Sequence, residues 1–152
     1  MKFQISMILV GLLYVMPTFA YDTALAERLG QFYAPFAGKS CAKSLKMIKP
    51  EDFVKAVKAE NKPLIIDVRT EQESAIYTIS LADSLTIPMN QVFTKDILDK
   101  LPTDRKIIVT CTGGHRATAV AMGLRQIGFK DIFVLKGGFA ALAKYLTPKT
   151  AY

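Results

Sequence analysis

Two cysteines and one histidine are all that this 152-residue chain offers as soft or imidazole ligands. A four-ligand structural zinc site would have to borrow carboxylates. Neither zinc nor a disulfide framework is needed, because a chain of this length buries roughly 68–70% of its unfolded surface in one domain. No run matches a nucleotide P-loop or a dinucleotide fingerprint. Internal repeats and low-complexity segments are absent. The chain carries 20 Lys+Arg against 13 Asp+Glu, yet no basic block with interleaved aromatics points to nucleic acid. At 51% hydrophobic and 22% charged it is neither a disordered tail nor a coiled coil.

One long apolar run exists, Ile5 to Val15, and it follows Lys2. Pro17 then breaks a helix, and Thr18 and Ala20 leave small residues at the −3 and −1 positions of a cut. This is the pattern of a secretory signal peptide over residues 1–20, with cleavage expected near Ala20–Tyr21. The alternative is an uncleaved membrane anchor, but a spanning helix needs about 20 apolar residues and Pro17 interrupts this one early. Cleavage would leave 19 Lys+Arg against 13 Asp+Glu, a net of +6. The expected compartment is periplasmic or secreted, with no membrane contact after cleavage. The positive field mildly favours small anionic substrates.

Residues 21–44 read as an N-terminal helix and linker. Leu25, Leu29, Phe32, Tyr33 and Phe36 recur at helical spacing over Thr23 to Phe36, and Asp22 or Thr23 can cap the start. The helix either packs on the main domain or makes a dimer contact. From residue 45 to 147 strands and helices alternate. Strands are expected at Leu45–Ile48, Leu64–Val68, Leu85–Ile87, Ile107–Thr110 and Ile132–Leu135. Helices are expected after Pro50, around Glu71–Ala75, over Gln91–Leu98 and Arg116–Ile127, and from Gly137-Gly138 through Leu146. Gly128 can take the left-handed position after the fourth of these, with Phe129 folding back on it. Residues 148–152 form a tail. This alternation implies an α/β fold, a parallel sheet with helices on both faces.

The chemistry concentrates at Ile107 to Ala117. A buried strand ends at Cys111, two glycines follow, and a helix begins near Arg116. Ligands bind outside the carboxyl ends of strands in open parallel sheets, which places Cys111 where chemistry happens. The thiolate is the nucleophilic form of cysteine, and helix N-termini and nearby cations stabilise it. Inward amides of a Gly-containing loop make an anion nest. Arg116 adds a fixed charge that can grip an anion with two donors. The substrate-binding candidates are therefore Thr112, Gly113, Gly114, His115 and Arg116 around the catalytic candidate Cys111. The same nest would hold a persulfide anion.

These residues resemble the rhodanese family of sulfurtransferases. Cys111, Gly114 and Arg116 fit its Cys-x-x-Gly-x-Arg loop. Asp67-Val68-Arg69 looks like its Asp-Val-Arg strand end, Ile87-Pro88 like its Ile-Pro, and Gly137-Gly138-Phe139 like its Gly-Gly-aromatic turn. Four motifs in order, from about Lys46 to Leu146, make a specific match. The resemblance implies an open five-stranded parallel sheet with helices on both faces. It also implies ping-pong chemistry without metal or cofactor. Cys111 would take a sulfane sulfur from a small anionic donor such as thiosulfate or polysulfide and pass it to cyanide or a thiol. The other reading is a rhodanese-fold sulfur-carrier or binding module serving a partner redox protein. The chain departs from the family at Ser80 to Ser84, which lacks the His, Pro and Gly of the usual His-Ile-Pro-Gly-Ala-like stretch. Arg116 is the fifth residue after Cys111, one short of the Cys-x5-Arg loop of cysteine phosphatases. That spacing favours a sulfur substrate over a tetrahedral phosphate.

Asp67 and Arg69 are candidates for loop support, since buried charges are normally paired. His115 either tunes the loop or is simply exposed. Glu73 reads as a surface or rim carboxylate. Cys41 is a spectator, a partner for another chain, or the second half of a disulfide with Cys111.

Overall fold

The computed structural model describes residues 20–150. The leader expected over residues 1–20 therefore lies outside the described residues, apart from Ala20. Within them, five strands form one parallel sheet: β1 (Met47–Ile48), β2 (Leu64–Asp67), β3 (Ser84–Thr86), β4 (Ile107–Thr110) and β5 (Ile132–Leu135), in the order β1-β5-β4-β2-β3. β2 and β4 are buried at every position, as continuous apolar runs in a doubly covered sheet should be. Alternation sorts their side chains between two cores. Ile66, Ile107, Val109, Cys111 and Val134 pack with α6 (His115–Gln126). Ile65, Ile108 and Leu135 pack on the opposite face with Phe53 of α3 (Pro50–Lys58) and Leu142 of α7 (Gly138–Tyr145). Cys111 thus points to the α6 side, and Asp67, in step with Ile65, to the α7 side.

Helix α6 ends as its sequence indicates. Gly128 takes φ +113°, its N–H donates to Arg125 O, and Phe129 N–H donates to Leu124 O. These two bonds close a Schellman motif. Other boundaries differ from expectation for local reasons. The first helix, α1 (Thr23–Tyr33), is capped by the Asp22 carboxylate and gives way to a 3-10 turn over Ala34–Phe36, which contains Pro35. Lys46, at φ +49°, turns the chain out of α2 (Cys41–Ser44), so β1 is shorter than Leu45–Ile48. The strand expected at Leu85–Ile87 lies one residue earlier, paired through Asp67 and Thr86. The helix expected over Gln91–Leu98 shrinks to α5 (Lys95–Leu98). Pro88 O and Gln91 O accept the amides of Gln91 and Thr94 in successive turns, which drive Val92 into the core and set Phe93 against Gly123. The stretch without the family's His, Pro and Gly closes its turn differently: the Ser84 hydroxyl lies within hydrogen-bond distance of Ile79 O and Leu81 O.

The N-terminal segment sits against the far end of α6. Arg125 Nη1 donates to Ser44 O at 2.7 Å and its Nε to Ala121 O, and burial pulls the Arg125 guanidinium below its ordinary pKa. Leu25, Leu29 and Phe32 face Arg125 and Ile127, although no residue of α1 is fully buried. Cys41 and Cys111 are free thiols. Cys41 precedes the amino edge of the sheet near the last turn of α6, while Cys111 stands at the carboxyl edge against its first turn. A 12-residue helix spans about 18 Å, whereas a disulfide holds its Cα atoms within about 7 Å.

Candidate active site

The segment after β4 curls because two peptides are pinned from behind. Phe139 N–H donates to Cys111 O at 2.9 Å and Ala140 N–H to Thr112 O at 3.0 Å. In a planar trans peptide the N–H points opposite to the C=O. Holding these two carbonyls against α7 therefore turns the amides of Thr112 and Gly113 to the other side, into the loop. Gly114 completes the curl at φ +98° and caps α6, and its N–H donates to Cys111 Sγ at 3.1 Å. The sulfur lies at the floor of the loop, with the residue 2% exposed. The Gly114 N–H meets it, and the turned amides of residues 112 and 113 and the start of α6 belong to the same loop, an arrangement of the kind that makes an anion nest.

Gly138 lets α7 come this close. It stands at φ +57°, and a Cβ there would lie inside the van der Waals shell of Cys111 O and 2.7 Å from Thr112 O. Gly138→Ala is expected to lose about 1–3 kcal/mol from backbone conformation alone. Because the intruded groups are the loop's own carbonyls, activity should fall by about 100-fold as the nest is displaced. Thermal melts and steady-state rates on the variant check both.

Arg116, on the first turn of α6, does not stand alone. Its Nη1 and Nη2 donate to the two Glu73 carboxylate oxygens at 2.6 and 2.7 Å, and Nη2 also reaches Thr112 Oγ1 at 3.2 Å. Glu73 is the third residue of α4 (Glu71–Ile76), where a capping box fixes it: Thr70 Oγ1 accepts the Glu73 N–H, and Glu73 Oε2 accepts the Thr70 N–H at 3.0 Å. The Thr112 hydroxyl lies 3.0 Å from Glu73 Oε1. The Arg116 hydrogen bonds, then the Thr70 amide, hold the Glu73 carboxyl far below the usual carboxylate range. The bonds to Glu73 lift Arg116 above its ordinary value against the opposing effect of burial, and the neighbouring Cys111 side chain adds to the rise. A carboxyl with a lowered folded pKa contributes stability above its unfolded value of about 4.3, and that contribution is lost only as pH falls toward the folded value. At neutral pH the pair is fully ionised. Glu73 is thus a partner of the loop arginine rather than a rim carboxylate. The Thr70-x-x-Glu73 spacing is the sequence signal that could have placed it, since it matches a capping box.

On the α7 side, Asp67 accepts from Arg69 N, Nε and Nη2 at 2.7–3.1 Å and from the Ser74 hydroxyl at 3.2 Å. Arg69 Nη2 also donates to Tyr77 O, and its guanidinium lies 3.9 Å from the Phe139 ring centroid and 4.6 Å from that of Tyr77. Burial works against the Arg69 charge, but Asp67 outweighs it and the guanidinium stays above its ordinary pKa. The pair braces Phe139, whose amide holds the Cys111 carbonyl. His115 is exposed at the rim, with its ring beside Gly113. Among the described residues no cluster of three His, Cys, Asp or Glu could hold a metal, and no helix is long and apolar enough to cross a membrane.

Comparison with known proteins falls on the same residues. A family model described as a rhodanese-like domain matches residues 49–145. A sulfurtransferase of Allochromatium vinosum is 31% identical over 88 residues, covering 58% of this chain and 78% of that one. The probable adenylyltransferase/sulfurtransferase MoeZ of Mycobacterium tuberculosis is 32% identical over 101 residues, or 66% of this chain. The chain spans only 25% of that relative's length. The crystal structure of a rhodanese-related protein from Thermoplasma volcanium superposes with a TM-score of 0.58 at 28% identity, over 68% of this chain and 95% of that one. An NAD-dependent persulfide reductase from A. fulgidus gives 0.51 at 27% identity, over 66% and 16%.

Proposed function

This chain belongs to the rhodanese-like domain family, and from that premise we propose that it is a sulfurtransferase working through a persulfide on Cys111. The Cys111 thiolate attacks the outer sulfur of thiosulfate or a polysulfide, and the rest of the donor leaves with the electron pair of the broken S–S bond. The persulfide anion, Cys–S–S⁻, then gives its outer sulfur to cyanide or a thiol, and the Cys111 thiolate returns. The observation that carries this reading is the Gly114 N–H aimed at Cys111 Sγ at 3.1 Å within a ring of inward amides. Such a nest stabilises the negative charge of both the attacking thiolate and the persulfide anion, so neither has to take up a proton.

A second reading has the same cysteine carry sulfur for a partner redox protein, with little turnover of its own. Likeness to one part of a persulfide reductase favours it. The Lys2 start, the apolar run Ile5–Val15 and the small residues before Tyr21 support export to a periplasmic or secreted setting.

Intact-mass measurement after mixing with thiosulfate or polysulfide tests the shared step. A gain of one sulfur atom on Cys111 is expected. Continuous thiocyanate release when cyanide is added marks the enzyme, and a single stoichiometric release marks the carrier. Absence of any gain from both donors would overturn the two readings together.

A further inference from the structure

Resting on the sulfurtransferase reading, we propose that Glu73 sets donor specificity: by neutralising Arg116 it steers the Cys111 loop from dianionic donors toward an organic hydropersulfide, whose body lies in the apolar groove beside Arg116.

The charge balance is the first reason. An unengaged guanidinium beside a nest of amides would suit a dianion. Here both Nη groups of Arg116 are committed to Glu73 at 2.6 and 2.7 Å. The carboxylate is further fixed by the Thr70 amide at 3.0 Å and by contacts with the Thr70 and Thr112 hydroxyls at 3.2 and 3.0 Å. An arriving anion would have to break several of these bonds at once to free the arginine. The pair has no net charge, so the loop meets a donor with amide dipoles, which satisfy one negative charge. A second would lie beside the Glu73 carboxylate with no cation to meet it.

The groove is the second reason. A cavity of about 390 Å³ runs beside Arg116, lined mainly by the apolar Val68, Pro88, Met89 and Phe93, with Thr70 and Asn90. Arg116 lines the groove and also neighbours the Cys111 side chain, so the groove adjoins the sulfur's surroundings through that arginine. Met89 and Phe93 are 38% and 46% exposed. A polarisable thioether and a ring edge suit a sulfur-bearing apolar body.

The two donor classes load the cysteine differently. With thiosulfate, the Cys111 thiolate displaces sulfite, and the site must hold three negative charges in all. With an organic hydropersulfide, R–S–SH, the Cys111 thiolate attacks the outer sulfur and the donor S–S bond breaks, its electron pair leaving on R–S⁻. The departing thiolate takes the proton of the new persulfide, which leaves R–SH beside Cys–S–S⁻. One negative charge is present throughout, and nothing is oxidised or reduced overall.

The test compares Cys111 loading rates, followed by intact mass, with thiosulfate and with benzyl hydropersulfide. The wild-type chain is set against Glu73→Gln, which keeps a glutamine-compatible capping box and removes the charge. The expected result is that the persulfide-to-thiosulfate rate ratio falls by about tenfold in Glu73→Gln, the effect of one nearby charge at a partly exposed site. A purely structural role would slow both donors alike and leave the ratio fixed, which would overturn the proposal while the sulfurtransferase reading stands. Met89→Gln supplies an independent arm and decides if Glu73→Gln does not fold. A fall of several-fold in the same ratio is expected there through a higher KM for the hydropersulfide, and an unchanged ratio overturns the proposal. If neither donor loads the wild-type protein, the failure belongs to the sulfurtransferase reading itself.

Discussion

Cys111→Ser is expected to abolish sulfur loading and to lower transfer by at least about 10³-fold, with the melting temperature little changed. Serine fits the space and can accept the Gly114 N–H that now meets Sγ at 3.1 Å. The fold loses nothing it relies on, because the loop is held through the Cys111 and Thr112 carbonyls rather than through the side chain. What disappears is the chemistry. A hydroxyl beside no general base stays protonated at neutral pH, and oxygen does not form a stable bond to a sulfane sulfur. Cys41→Ser is the control. That thiol lies at the other end of α6 and outside the loop, so loading should be retained. Intact mass and thiocyanate release read both variants. Residual transfer in Cys111→Ser that vanishes only when Cys41 is also replaced would show that the wrong sulfur was chosen.

Arg69→Met should be strongly destabilising. Asp67 and Arg69 are 3% and 1% exposed and satisfy each other across three nitrogens. Removing the guanidinium leaves a buried carboxylate with only the backbone amide of residue 69 and the Ser74 hydroxyl. Breaking a buried pair from one side costs about 3–5 kcal/mol. For a chain of this size that corresponds to a fall of about 10–15 °C in melting temperature. The loss is mainly the penalty of the stranded charge, so Asp67→Leu combined with Arg69→Met should recover much of it. The double variant still lacks the cation between the Phe139 and Tyr77 rings. Stability and activity should therefore part company, with melting restored further than turnover. Calorimetric melts and steady-state rates on the three proteins decide this. A single variant that melts within about 3 °C of wild type would remove the basis for this account.

The sheet was legible because its signals are local and redundant. Ile107–Thr110 and Ile132–Leu135 are short apolar runs that stand alone between turn residues, and both strands occupy those residues. Gly128 marked the end of α6 through a left-handed requirement that few other residues meet. Gln91–Leu98 misled because Val92, Phe93, Ile97 and Leu98 have helical spacing. Val92 and Phe93 instead reach their partners from successive turns, a tertiary choice that periodicity does not carry. The loop of Cys111 to Arg116 could be read from one continuous segment. Glu73 could not be tied to it in the same way, since the contact spans 43 positions of sequence. Only the cap at Thr70, which aims the start of α4, hinted at where that carboxylate goes. Arg125 was silent for a related reason: nothing in α6 announces that its last turn anchors Ser44.

The grip of residues 139 and 140 on the Cys111 and Thr112 carbonyls has a consequence for the chain as it leaves the ribosome. The cysteine is made well before the amides that shape its surroundings. A nascent chain that has not yet emerged through α7 bears a thiol without a cradle. On the sulfurtransferase reading, transfer would thereby be withheld until α7 has docked on the loop.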